Sequence, residues 1–321
     1  MSKSPSTILI TGGTSGLGYE CALHLARQKP DCTIVIASRS NSNDAAGLVN
    51  KTLRQTNVTY LPLDLSSLAK VREFATSYST QSFPPISALV MNAGLQFPND
   101  VSYNNDGIEK TFAINHVGHA LLFYLLRPHL ANTARIVITA SGTHDPAQKT
   151  RVPDAKYTTA EELAHPTPES AKNSGRQRYA TSKLCNVMWM YALHDHLAKA
   201  ASGKKWTVTA FDPGLMPGTG LARDAGAPAR FIFTKVLPHL IWLLRLLMSP
   251  NVHSPQESGA ALARLVVGED VDGVSGKYFE GMKQIKSSVE SYVKEKQEDL
   301  WGWTLKFVAM DEGEGRKFEE L

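Results

Sequence analysis

Short apolar runs alternate with longer amphipathic stretches along most of the chain. The runs are rich in Val, Ile and Leu and predict strands at residues 7–10, 33–37, 58–63, 86–91, 135–140, 205–211 and 276–279. Helical spacing of apolar residues predicts helices at 19–28, 43–55, 68–79, 107–130, 176–200, 257–267 and 287–310. Strands that are apolar on both faces and alternate with helices are typical of a parallel sheet covered on both sides. The pattern therefore predicts an α/β fold, a doubly wound parallel sheet of about seven strands with helices on both faces and a C-terminal helical elaboration.

A glycine-rich turn follows the first predicted strand. Residues 11–18 read TGGTSGLG and lead directly into a predicted helix. Glycines at positions 12, 16 and 18 permit a tight turn and close approach of the backbone to a pyrophosphate at the helix N-terminus. We expect a dinucleotide to bind here, at Gly12, Thr14, Ser15, Gly16, Leu17 and Gly18.

The end of the second predicted strand indicates which dinucleotide binds. Ser38 and Arg39 follow this strand, and residues 36–40 contain no Asp or Glu. A site for NAD usually has a carboxylate here for the ribose 2′-hydroxyl, whereas an arginine pairs with a 2′-phosphate. The sequence therefore predicts NADP(H), bound in part by Ser38 and Arg39.

The ends of later strands extend the predicted cofactor site. Since parallel strands carry their ligands at the carboxyl edge of the sheet, we expect contacts from Asp64, Leu65, Asn92, Ala93, Gly94, Pro213, Gly214 and Thr219. The Asn92 amide can also tie neighbouring strand ends together. Ser66 or Ser67 is expected to cap the helix at residues 68–79.

One helix carries a pair of residues suited to proton transfer. Tyr179 and Lys183 lie four residues apart and therefore share a helix face. A phenol is a poor proton shuttle at neutral pH, but a fixed cation beside it lowers its pKa. Tyr179 can then protonate a ketone oxygen as a hydride arrives, or accept the proton of an alcohol in reverse. Ser141, after the fifth strand, can donate to the substrate carbonyl, and a water held at Asn115 can connect Lys183 to solvent.

Three segments lie outside the regular alternation. Residues 142–178 form a long insertion, expected near the active site as part of the substrate enclosure. Residues 220–256 include an apolar stretch, 231–248, that is too short and too interrupted to span a membrane. It can be a lid over an apolar substrate or a helix on a membrane surface, and we favour the lid. Residues 287–321 form a helix and an acidic tail, expected to fray from Asp311. Residues 1–321 are predicted to be a single domain.

Composition argues against several other classes of protein. The 321 residues include 34 basic and 30 acidic ones, a net charge of +4, and no basic stripe typical of nucleic-acid binding. Cys21, Cys32 and Cys185 are isolated and fit neither a disulfide framework nor a zinc site, so we expect no metal. A polar N-terminus leads straight into a strand, which leaves no room for the apolar region of a signal peptide. We therefore expect a cytoplasmic protein.

Taken in order, these motifs resemble those of the short-chain dehydrogenase/reductase family, over roughly residues 7–279. Residues 12–18 match the family's cofactor turn, and residues 92–94 match its structural motif. The family's catalytic tetrad is matched, in order, by Asn115, Ser141, Tyr179 and Lys183. The resemblance implies a Rossmann-like sheet with proton transfer by Tyr179 and positioning of substrate by Ser141. It further implies that Lys183 contacts the nicotinamide ribose and that Asn115 holds a water relay.

Within that family, residues 182–186 and 213–221 look most like the branch of protochlorophyllide reductases and retinol-dehydrogenase-like enzymes. The photoactive enzymes of the branch carry a Cys directly after the Pro-Gly, where this chain has Leu215. Light-driven reduction of a pigment ring is therefore not expected. The interval between Ser141 and Tyr179 also exceeds the family's usual spacing, so the boundaries of the family's substrate pocket do not apply to this chain.

The sequence leaves three functional hypotheses. The first is an NADPH-dependent reductase that transfers a hydride to the carbonyl of a bulky apolar ketone or aldehyde, reversibly. The second is reduction of a conjugated C=C bond by the same cofactor. The third is a nucleotide-binding sensor or scaffold without turnover, which the Tyr179–Lys183 pair disfavours because a pure binder needs no proton donor. Expected partners are the small-molecule substrate and at most a membrane surface, in a monomer or homodimer.

Overall fold

The computed structural model describes residues 5–97, 100–200, 203–219 and 226–321. Its strands are β1 Thr7–Thr11, β2 Thr33–Ser38, β3 Val58–Pro62, β4 Ile86–Met91, β5 Leu130–Thr139, β6 Lys205–Asp212, β7 Lys277–Glu280 and β8 Lys283–Ile285. They form one sheet in the order β3-β2-β1-β4-β5-β6-β7-β8. β1 to β7 run parallel, and β8 pairs antiparallel with β7. The predicted sheet is confirmed, with β8 as an additional strand. β8 was not predicted because it has only three residues and lacks an apolar run.

Helices cover both faces of this sheet. They are α1 Gly16–Gln28, α2 Ala45–Leu53, α3 Leu68–Ser79, α4 Lys110–Phe112, α5 Gly118–Leu126, α6 Ala160–Ala164, α7 Gly175–Lys199, α8 Ala227–Phe231, α9 Ile241–Leu247, α10 Pro255–Val267, α11 Lys294–Val308 and α12 Glu312–Glu319. Alternate residues of β1 point to opposite faces. Ile8 and Ile10 pack in the core beneath α1, α2 and α10, and Leu9 packs in the core beneath α3, α5 and α7. The two cores establish the doubly wound architecture.

The helix predicted at residues 107–130 is divided in the structure. α4 begins at Lys110 because the Glu109 carboxylate accepts a hydrogen bond from the Phe112 N–H at 2.7 Å and caps it. A π-helical turn, Ala113–Val117, separates α4 from α5. After α5, a 3₁₀ turn over Arg127–His129 leads into β5, which begins five residues earlier than predicted.

The predicted serine cap of α3 is wrong. Ser67 occupies the N-cap position without a side-chain capping bond. The Asp106 carboxylate accepts the Leu68 N–H at 3.0 Å instead, and a carboxylate is favoured at the positive end of a helix. Ser66 donates to Asp64 at 2.7 Å. The cap comes from a loop 38 residues downstream, which a local sequence pattern cannot reveal.

The tail beyond Asp311 was expected to fray, and this is also wrong. Asp311 caps α12 by accepting the Glu314 N–H at 2.8 Å. Both oxygens of Glu314 accept hydrogen bonds from Arg72, at 2.7 and 2.8 Å. The Phe318 ring stacks on Tyr124 with a centroid separation of 4.8 Å. The tail is ordered because its acidic and aromatic side chains find partners on α3 and α5.

α11 and α12 cover the outer face of α5 and α7. Trp301 of α11 stacks on Trp189 of α7 at 6.1 Å between ring centroids and meets Tyr124 of α5 edge-on. The insertion at 142–178 is bound to α11. The Asp299 carboxylate of that helix accepts hydrogen bonds from the Tyr157 hydroxyl at 2.6 Å and the Ala160 N–H at 2.8 Å. The expectation of a monomer or homodimer stays a prediction. No helix in the described ranges is long and apolar enough to cross a bilayer.

Candidate active site

A cleft of about 380 Å³ opens at the carboxyl edge of the sheet. Its lining includes sixteen of the predicted residues: Gly12, Thr14, Ser15, Leu17, Gly18, Ser38, Arg39, Asp64, Leu65, Asn92, Ala93, Gly94, Tyr179, Lys183, Pro213 and Thr219. Four other predicted residues lie outside the lining: Gly16, Asn115, Ser141 and Gly214. The structure thus brings residues from five strand ends and from two helices, α1 and α7, to a single cleft.

The glycine-rich turn has the shape of a phosphate cradle. Gly12 has a φ of +70°, and a Cβ there would lie 3.0 Å from the Ala93 Cα. A Cβ on Gly18 would lie 2.4 Å from the Gly12 carbonyl oxygen. Ser15 forms no side-chain cap on α1, which leaves the N–H groups of the first turn open to an anion. These features fit the pyrophosphate of a dinucleotide.

A buried threonine ties the strand ends beneath this turn. The Thr11 hydroxyl oxygen accepts the N–H groups of Asn92 at 2.9 Å and Ala93 at 3.0 Å. The Asn92 amide donates to the Thr11 carbonyl at 2.9 Å and accepts from Thr139 at 3.4 Å. Asn92 therefore ties neighbouring strand ends, β1, β4 and β5, as predicted. Thr11 was missed, although a threonine that ends a buried strand signals such a bond.

Arg39 and Asp64 line the cleft just after β2 and β3. Arg39 is exposed and, among the residues that the structure describes, forms no ion pair. The Asp64 carboxylate accepts the N–H and the hydroxyl of Ser66, at 2.9 and 2.7 Å. Asp64 is thus held in place at a strand end, and the Arg39 guanidinium is available to a phosphate.

Tyr179 and Lys183 project from the first turns of α7. The Lys183 Nζ lies 5.5 Å from the centroid of the half-buried Tyr179 ring. It donates to the Thr139 carbonyl at 3.0 Å, and only 2% of the residue is exposed. Burial lowers the pKa of Lys183 to about 8, although the Asp212 carboxylate opposes this shift. The ammonium is thus fixed next to the phenol in a setting of low dielectric.

Asn115 lies in the π-helical turn, buried behind the cleft. Its side-chain oxygen accepts the Leu95 N–H at 2.8 Å, and its amide donates to the Leu95 carbonyl and to Ser182, each at 2.9 Å. A backbone carbonyl thus satisfies this buried amide. Asn115 thereby joins the loop after β4 to α7, and π-helical turns often occur at functional sites.

Ser141 and Gly214 lie just outside the lining. The Ser141 hydroxyl oxygen accepts the Thr143 N–H at 3.3 Å, a bond that uses a lone pair and leaves its hydrogen for a substrate carbonyl. Gly214 has a φ of +73°, and a Cβ there would lie 2.4 Å from the Asn251 side chain. Gly214 therefore faces residues 251–253, and Pro213 is the member of the pair that reaches the cleft.

His119 connects the π-helical turn to the strand ends. Its Nε2 lies 2.8 Å from the Thr11 hydroxyl, and its Nδ1 lies 3.3 Å from the Asn115 carbonyl. Since the Thr11 oxygen accepts two backbone N–H groups, its hydrogen is donated to Nε2, and Nδ1–H donates to Asn115. Sequence analysis missed this neutral histidine, because nothing local places it against β1.

The protein is expected to lose stability in mild acid through His119. Burial lowers its pKa to about 4, whereas the unfolded chain binds the proton at about pH 6.5, so unfolding takes up a proton between these values. His119 alone should therefore lower the free energy of unfolding by about 3 kcal/mol as the pH drops through this window. Urea unfolding across the window measures it. His119→Gln should make the slope shallower but leave the part due to His116, whose pKa burial lowers to about 3, and the exposed His165→Gln should leave the slope unchanged. A wild-type profile without this fall would contradict a neutral, buried His119.

Sequence comparisons agree with this geometry. The family model described as short chain dehydrogenase matches residues 6–157. Short-chain dehydrogenase TIC 32 A, chloroplastic, from Brassica napus is 30% identical over 313 residues, which cover 94% of this chain and 88% of that protein. The chain belongs to the short-chain dehydrogenase/reductase family. It is accordingly an oxidoreductase of a family that binds nicotinamide cofactors.

Other relatives place the chain near the retinol-dehydrogenase-like members of this short-chain dehydrogenase family. Retinol dehydrogenase 13 from Homo sapiens is 29% identical over 308 residues, 95% of this chain and 85% of that protein. Polyprenol dehydrogenase from Danio rerio is 29% identical over 310 residues, which cover 94% of this chain and 86% of that protein. Among solved structures, a blue fluorescent protein from a metagenomic library, in complex with NADPH, shares the fold at 20% identity. Its TM-score is 0.60, over 86% of this chain and 97% of that chain.

Proposed function

We propose that the protein is an NADPH-dependent reductase of the carbonyl group of a bulky apolar ketone or aldehyde, acting reversibly on the corresponding alcohol. The observation that carries the proposal is the meeting of Tyr179 and Lys183 with the glycine-rich turn in one cleft. A dinucleotide site alone would serve a binding protein. A phenol beside a fixed ammonium, in the same cleft, supplies the proton that hydride transfer to a carbonyl requires.

The preference for NADPH rests on Arg39. Its guanidinium is exposed at the cleft, after a strand that ends without a carboxylate. We expect it to pair with the 2′-phosphate, while the first turn of α1 and Thr219 bind the pyrophosphate. The absence of a side chain at Gly94 also leaves room for the cofactor beside Lys183, since a Cβ at Gly94 would come within 3.2 Å of the Lys183 Nζ.

The residues of the chain handle the proton and the orientation of substrate. The bound cofactor supplies the hydride. Tyr179 delivers its hydroxyl proton to the substrate oxygen, and the Lys183 ammonium stabilises the phenolate that results. Ser141 donates a hydrogen bond to the same oxygen and orients the carbonyl. A water at Asn115 can return a proton toward Lys183.

The apolar substrate class is supported by the cleft wall and by the relatives. Leu95, Ile114 and Met216 line the cleft next to the polar groups. Two of the relatives are named for apolar alcohols, retinol and polyprenol. The lid predicted at 220–256 is not part of the proposal: residues 220–225 lie outside the described ranges, and the described remainder does not line the cleft.

Arg39→Ala is expected to weaken NADPH binding by about 10- to 100-fold, since a hydrogen bond to a charged group contributes about 1.5–3 kcal/mol. Binding of NADH should change little, because NADH lacks the 2′-phosphate. Titration followed by nicotinamide fluorescence measures both. The matched control is Arg27→Ala, which removes an exposed arginine from the far end of α1.

Two results would contradict the cofactor assignment. Equal affinity of the wild type for NADPH and NADH would mean that Arg39 does not read the 2′-phosphate. Absence of binding to either would remove the basis for a nicotinamide-dependent enzyme.

A further inference from the structure

An exposed apolar surface lies on residues 227–248, which comprise α8, a π-helical turn, a 3₁₀ turn and α9. Trp242, Leu246 and Leu247 are 66%, 76% and 69% exposed. The same segment exposes Phe231, Ile232, Val236 and Met248. Other exposed large apolar residues of the described chain are dispersed over distant segments. A cluster of this kind marks an interaction surface.

The charges of this segment identify the kind of partner. Residues 227–250 contain no Asp or Glu, and Arg230 and Lys235 are exposed among the apolar side chains. A second copy of the chain on this surface would bring like charges together. A bilayer with anionic head groups complements both the apolar and the basic side chains, and an exposed tryptophan suits the membrane interface.

The segment is anchored to the loop that borders the cleft. The Gly218 N–H donates to the Phe233 carbonyl at 2.9 Å, and Arg245 donates to the Val252 carbonyl at 2.7 Å. Leu215 pairs with Val252 in an isolated β-bridge. Met216 and Thr219, in the same loop, line the cleft. The exposed segment and the cleft are therefore joined through residues 215–219.

We propose that residues 227–248 form a docking surface that lies on an anionic lipid bilayer and brings the cleft next to it. The apolar side chains enter the head-group region, and Arg230 and Lys235 pair with acidic lipids. The docking surface stands on the exposed side chains and their charges alone. Its use in taking an apolar substrate from the bilayer rests on the proposed function.

Sedimentation of the full chain with vesicles tests the docking surface. The wild type should bind vesicles of phosphatidylcholine with phosphatidylserine and bind pure phosphatidylcholine more weakly. The double variant L246S/L247S should lose about tenfold or more in vesicle affinity. Lys235→Glu should weaken binding only to the anionic vesicles. The matched control V289S/M310S removes equally exposed apolar side chains from distant segments and should bind as the wild type does.

NADPH binding and the melting temperature of each variant report whether it has folded. The proposal is overturned if the wild type binds no vesicle, or if the control loses as much affinity as L246S/L247S. It is also overturned if light scattering shows a wild-type dimer that L246S/L247S dissociates, because the surface would then bind a second copy. Vesicle binding without NADPH-dependent turnover of an apolar ketone would contradict the proposed function and leave the docking surface supported. Turnover in solution without vesicle binding would contradict the docking surface and leave the proposed function supported.

Discussion

Tyr179→Phe is expected to lower kcat for NADPH-dependent carbonyl reduction by about 10³-fold, within the range that a positioned general acid contributes. The substitution removes one hydroxyl and keeps the half-buried ring beside Lys183. NADPH affinity should therefore change by less than about threefold, since the lost group acts in the transition state. Stopped-flow turnover and fluorescence titration on the same preparation separate the two effects.

Tyr191→Phe is the matched control for this prediction. Tyr191 lies on the same helix, and its hydroxyl is within 2.8 Å of Ser287, away from the cleft. Its loss should leave kcat near the wild-type value. If Tyr179→Phe kept full turnover, Tyr179 would not be the proton donor. Product analysis on a conjugated enone separates reduction of the carbonyl from reduction of the C=C bond.

Lys183→Met is expected to lower kcat by at least about 10²-fold. It should nevertheless preserve or raise the free energy of unfolding. Methionine has nearly the same shape and carries no charge. The buried ammonium has a pKa lowered to about 8, so its protonation at neutral pH costs the folded state about 3 kcal/mol. The Thr139 carbonyl would keep a partner, because Asn186 also donates to it at 3.1 Å.

The sign of this effect can be checked through pH. The unfolded chain holds the Lys183 proton up to about pH 10.5, so the cost of the buried ammonium should disappear as the pH goes from about 8 toward 10.5. Burial raises the pKa of groups such as Cys21 and Tyr78, which lowers the stability of both proteins in this range. The measured quantity is therefore the stability advantage of Lys183→Met over the wild type, which should be largest near neutral pH and shrink toward pH 10.5. Lys199→Met, at the exposed end of the same helix, should change neither kcat nor the free energy of unfolding. A clear loss of stability in Lys183→Met would show that the ammonium supports the fold.

Most of the sheet and the cleft lining could be predicted, because both depend on local signals. Parallel strands read as continuous apolar runs, and their carboxyl ends lie at one edge, so Gly12, Asn92 and Thr139 had to come near one another. The four-residue spacing of Tyr179 and Lys183 likewise fixed a shared helix face.

What the sequence did not reveal depends on contacts between distant segments. Asp106 caps α3 from 38 residues away, and α12 is ordered by Arg72 and by the stacking of Phe318. His119 is a further case, since its role follows only from its approach to Thr11. In each case a polar or aromatic side chain takes a partner that neither periodicity nor spacing identifies.

The order of synthesis gives the aromatic cover on α5 and α7 a further consequence. Tyr124 and Trp189 are buried beneath Trp301 and Phe318, which the ribosome adds more than a hundred residues later. All residues of the cleft lining lie at or before position 219, so the nascent chain holds the whole lining while an aromatic surface is still uncovered. During that interval the uncovered rings are a natural target for chaperones.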